Sequence, residues 1–110
     1  MRARGLATLA FGLTLAACGV PADDPMATAR HVSSNEVYGT NGARMHLFIF
    51  DPNVPRSLAE RKAIARRVIA EEPGCAWVDA PDAVLVDATA RQGERYTDTM
   101  LVAPLRCSHT

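Results

Sequence analysis

The chain carries no excess charge of either sign: 12 Lys and Arg balance 12 Asp and Glu over 110 residues, for a pI near 6.8. A basic face is the first electrostatic requirement of a nucleic-acid-binding domain, so no nucleic-acid partner is expected. The chain also lacks the common catalytic signatures. There is no Gly-x-Ser-x-Gly elbow, no P-loop and no Gly-x-Gly-x-x-Gly turn. His31, His46 and His109 never fall at the His-x3-His or His-Glu-x-x-His spacing that places two imidazoles on one helical face, so no metal is expected. Cys75 and Cys107 are far from a Cys-x-x-Cys pair, which removes thioredoxin-type redox chemistry. No cofactor is implied. At this length one small domain fits and two do not.

What is present begins at the N-terminus. Arg2 and Arg4 precede an uncharged stretch from Leu6, interrupted only by Thr8, Gly12 and Thr14 within its first ten residues. A basic start followed by a short apolar run is the layout of a secretory signal peptide. A membrane-spanning helix needs roughly 20 apolar residues, more than this stretch provides. It ends in Leu15-Ala16-Ala17-Cys18. That tetrapeptide resembles the lipobox of bacterial lipoproteins, and the resemblance covers the first 19 residues.

The resemblance implies that residues 1–17 are removed, that Cys18 receives a diacylglyceryl group and that the new amino terminus is acylated. The bilayer would then be a partner through Cys18. Two or three acyl chains, at about 0.8 kcal/mol per buried methylene, hold a protein to a bilayer almost permanently. Gly19 stands where Asp favours inner-membrane retention in many Gram-negative lipoproteins, so the outer membrane, facing the periplasm, is the expected location. Without Arg2 and Arg4 the mature chain has ten basic residues against twelve acidic ones, a net charge of about −2.

Residues 18–41 read as the lipidated terminus and a flexible tether. Pro, Gly, Ser and Asn are frequent there, with no sustained period of 2 or 3.6, and Tyr38 is the earliest candidate for a strand. Residues 42–110 read as a small α+β domain. Met45-His46-Leu47-Phe48-Ile49-Phe50 is apolar on both alternating faces, as suits a central strand covered on both sides. A turn follows at Asp51–Pro55, and Ser57-Leu58-Ala59-Glu60 is a capping box that opens a helix. Leu58, Ile64, Ala65, Val68 and Ile69 fall on one side of it, with Arg61 and Glu72 inside that apolar sector near its ends. Pro73-Gly74 closes the helix. Cys75–Asp79, Ala83–Ala88 and the stretch around Met100–Val102 read as further strands, with Pro104 marking an edge or bulge. The expected order is β-α-β-β-β, one amphipathic helix packed on a mostly antiparallel sheet in two layers.

About 69 residues leave a thin stability margin, and Cys75 and Cys107 are the cysteines that remain if Cys18 is lipidated. A disulfide between them is expected in an oxidising compartment, contributing roughly 3–4 kcal/mol through the 33-residue loop it closes.

Two places invite a functional reading. Asp51, Asn53, Arg56 and Ser57 gather at a strand's end and a helix start, where free amides and the dipole attract an anion or small ligand. Arg66 and Arg67, with Arg61 and Lys62, give the helix a basic side for lipid or an acidic envelope protein. The resulting expectation is a membrane-anchored envelope lipoprotein, not an enzyme, acting as a binding or assembly module. One alternative is a small envelope enzyme using Asp51 with Asp79, Asp82 or His46. Another is a carrier or inhibitor of an anionic ligand at the helix start.

Overall fold

The computed structural model describes residues 27–108; the signal-peptide and lipidation readings at 1–17 and Cys18, and His109, lie outside the described residues. The architecture is α+β. A four-stranded antiparallel sheet carries two helices, in the order β1 (Arg30–Tyr38), β2 (Ala43–Ile49), α1 (Leu58–Ala70), β3 (Cys75–Trp77), α2 (Asp82–Ala90) and β4 (Met100–Cys107). A 3-10 turn at Glu94–Tyr96 precedes β4, and the strands lie side by side as β1-β2-β4-β3.

The β2 register separates two apolar sets. Phe48 lies opposite Leu101 and His46 opposite Ala103 on one face; Met45 lies opposite Pro104 and Leu47 opposite Val102 on the other. Because side chains alternate along a strand, a run with apolar residues on both alternating faces, such as Met45–Phe50, requires cover on both sides. α1 covers the first face, packing Ile64, Ala65 and Ile69 against Phe48, Leu101, Ala103 and Leu105. The capping box forms as its sequence dictates: Glu60 N donates to Ser57 Oγ at 3.1 Å and Ser57 N donates to Glu60 Oε1 at 2.9 Å.

Two segments depart from the sequence reading. The first is β1. Residues 30–38 of the expected tether form a strand antiparallel to β2, joined through a turn in which Gly39 and Gly42 take positive φ (68° and 84°). Its polar interior hides the period because the register shifts between Ser33 and Val37. There Ser34 Oγ donates to the Met45 carbonyl at 2.6 Å, a side chain substituting for a ladder donor. The tether expected over residues 18–41 is therefore a strand of the domain at residues 30–38.

The second is α2. Ala83–Ala88, expected as a strand, lies in a helix, so the single-helix order gives way to two helices. A short apolar run does not by itself distinguish strand from helix. Here Pro81 precedes the first turn and Asp82 opens it, both favourable at a helix start. Leu85, Ala88 and Thr89 are buried at helical spacing, while Val86 points to solvent. α2 sits against the β4 edge: Leu85 joins the α1-side core, and Val84 and Ala88 join Met45, Met100 and Val102 on the opposite face.

That position also explains a proline in an inner strand. β3 pairs with β4 only at residues 105–107. Farther along the same edge, the Val102 amide donates to Thr89 Oγ1 of α2 at 2.9 Å, and the Pro104 carbonyl accepts from Val78 N at 3.2 Å. Pro104, which has no amide to offer, falls where the edge passes from a strand to a helix, so no ladder bond is missed. Cys75 and Cys107 stand directly opposite each other, with Cα atoms 4.0 Å apart, and are joined by a disulfide.

Candidate functional site

A chain of three titratable groups crosses the sheet's α1 side. Glu72 follows the last turn of α1, His31 lies in β1 and His46 in the middle of β2. A carboxylate only accepts, so His31 Nδ1 donates to Glu72, at 3.0 Å from each oxygen. His31 Nε2 lies 2.8 Å from His46 Nδ1, one of the two carrying the shared proton. The His31 ring stacks on His46 at 4.9 Å and on Phe48 at 5.1 Å between centroids. Side-chain exposure falls from 38% at Glu72 to 12% at His31, and His46 is 1% exposed.

His31 falls in the span expected as tether and His46 in the strand expected at the centre of the sheet; the structure puts both inside the domain. The partners lie 41 and 15 positions apart, so no local spacing reveals them. The legible trace was Glu72 within the apolar sector of α1, where a carboxylate needs a partner.

The sequence-selected ligand loop is built as a turn and a cap. Asp51 Oδ1 accepts from Asn53 N at 2.9 Å, Val54 N donates to the Asp51 carbonyl, and Arg56 N donates to the Asp98 carbonyl. At the helix start, the bonds from Ser57 and the nearby Arg56 hold the Glu60 carboxyl below its ordinary pKa, and the Ser57 hydroxyl accepts from the Glu60 amide. An anion at this end would meet that carboxylate. Beside the loop lies a groove of about 570 Å³ lined by Ala27, Arg30, Phe50, Asp51, Val54 and Arg56.

The basic side of α1 is engaged within the domain. Arg66 lies over the Trp77 ring at 5.2 Å and reaches Asp79 at 3.4 Å. Arg67 donates to the Ala27 carbonyl at 2.6 Å, and Lys62 pairs with Asp82 at 2.7 Å. Arg61 does not reach water: it is 7% exposed and donates to the carbonyls of Arg56 and Met100. Burial lowers its pKa and the charge of Asp98 raises it in part.

Asp51, Asp79, Asp82 and His46 are each held by a different contact. Among the described residues no group of three His, Cys, Asp or Glu is arranged to hold a metal ion, and no helix is long and apolar enough to cross a membrane. Comparison with protein families, curated proteins and solved structures finds no match to this chain.

Proposed function

We propose that the mature chain is a lipid-anchored envelope protein, held at Cys18 in the outer membrane and facing the periplasm, whose domain works by binding or assembly. The observation that carries this reading is Leu15-Ala16-Ala17-Cys18 directly after a basic and then apolar start. The Cys75–Cys107 bridge supports it, because disulfides persist outside the reducing cytoplasm. The engagement of Asp51, Asp79, Asp82 and His46 in separate contacts within the domain supports binding over acid–base catalysis, which needs such groups available to one substrate.

The test has two parts. Cys18→Ala should abolish incorporation of labelled palmitate and leave the precursor unprocessed; palmitate labelling that persists overturns the anchor. Asp51→Asn and Asp79→Asn should each complement a deletion strain as well as wild type. Loss of complementation by either, at unchanged folding and membrane level, overturns the binding reading, since removing a general acid or base typically lowers a rate by roughly 10²–10⁴.

A further inference from the structure

We propose that the His31–His46 pair is an acid-operated latch that holds β1 against the sheet and releases it on acidification. β1 is an edge strand with one neighbour, and its register is broken between Ser33 and Val37. On the α1 side its inward hold is His31, bonded to Glu72 and His46 and stacked on Phe48.

The bond between the rings counts protons. His31 Nε2 and His46 Nδ1, 2.8 Å apart, share one hydrogen. With both rings neutral one nitrogen donates and the other accepts. With one added proton an imidazolium still donates to a neutral ring. With two, both nitrogens carry hydrogen and point at each other, and two cations face each other with His46 buried. The docked strand therefore accommodates one proton on the pair. A released pair takes up two near the ordinary imidazole value of about 6.5. Release then binds one more proton, so its equilibrium constant rises about tenfold for each pH unit below 6.

The surroundings leave that count intact. The end of α1 and the residues after it contribute Glu72, with Glu71 and Arg67 lining the same hollow of about 310 Å³. β2 contributes Arg44, two positions from His46 on the same side; β4 presents Leu101, Ala103 and Leu105, and β1 itself adds Ser33. None of these groups takes part in the Nε2–Nδ1 contact that sets the count.

Release would open the β2 edge. On the lipid-anchor reading it would also lengthen the leash, because β1 is the strand that leads toward Cys18. Eight residues separate Cys18 from Ala27, whereas 24 separate it from Ala43.

Hydrogen exchange on the full mature chain in detergent micelles, from pH 7.5 to 4.5 and corrected for intrinsic rates, tests the latch. β1 amides and their β2 partners should lose protection about tenfold per pH unit below 6 while α1 and β4 amides keep theirs. Protection of β1 that stays flat to pH 4.5, or falls together with α1 and β4, overturns it. His31→Gln should make β1 protection independent of pH; if it remains pH-dependent, the latch is wrong. Should that variant not fold, ring NMR on wild type decides. Two separated titration steps that track β1 release support the latch, and uptake of two protons with β1 still protected overturns it. Failure of palmitate labelling removes the leash but leaves the exchange result standing.

Discussion

Replacing Thr89 by valine keeps the volume of a buried side chain and removes one acceptor. Thr89 is 2% exposed, and its hydroxyl accepts the amide of Val102 at 2.9 Å, on the stretch of β4 edge that β3 does not reach. Valine has nearly the same shape, so the packing of α2 against β4 is retained while a buried N–H is left without its acceptor. Such an orphaned donor costs about 1–3 kcal/mol. Thr89→Ser keeps the acceptor and loses one methyl, a change of about 0.8 kcal/mol. Both variants are to be measured by urea and thermal unfolding of the full chain with the disulfide intact. At this domain size 1 kcal/mol corresponds to roughly 4–8 °C in Tm. The expected order is wild type, then serine, then valine, with the exchange rate of the Val102 amide rising selectively in the valine variant. A valine variant within about 0.5 kcal/mol of wild type, the range of an unremarkable surface change, refutes the account of α2 as the partner of that edge.

Non-reducing peptide mapping should recover the Cys75 and Cys107 peptides as one species, and the double alanine variant should lose roughly 3–4 kcal/mol; two alkylatable thiols in native protein would contradict this. Ser57→Ala should destabilise by about 1 kcal/mol in chemical denaturation. The pKa of Glu60 is lowered by its Ser57 bonds, so the contribution of its carboxylate is complete above the unfolded value near 4.5 and fades as pH falls through the lower folded value; the alanine variant should show a shallower acid limb. Arg66→Glu should lower Tm by removing the contact with Trp77 and placing like charge beside Asp79; an unchanged Tm would return that side chain to the free surface.

The elements that could be read from the sequence are those whose cause is local. The Ser57–Glu60 box and the Pro73-Gly74 stop frame α1, and the doubly apolar Met45–Phe50 run marks β2, because each signal lies within a few residues. The disulfide followed from two cysteines and a small core. β1 was not legible because an edge strand with one partner tolerates polar residues, and because the Ser34 hydroxyl interrupts its alternation. α2 was misread because Val84, Leu85 and Val86 favour a strand locally, while burial against the free stretch of β4 selects a helix. The Glu72–His31–His46 chain is a property of the sheet order, which brings β1 beside β2 and beneath the end of α1. The arginines of α1 read as a surface from the helix alone; their partners Trp77, Asp79 and Ala27 come from other segments.

The division of the β4 edge between a three-residue strand and a helix restricts how copies of this sheet can meet. An exposed edge is a template for another chain, and continuous growth needs two of them, one on each side. Here one side ends in β3, whose row of backbone groups is too short to template a neighbour, with Pro104 and α2 occupying the rest. Among the described residues only β1 is left long enough to pair. Two copies meeting β1 to β1 use the same surface twice and leave no further edge, so the association closes at two. The sheet thus carries its own chain terminator, and edge-to-edge contact ends in pairs and not in fibres.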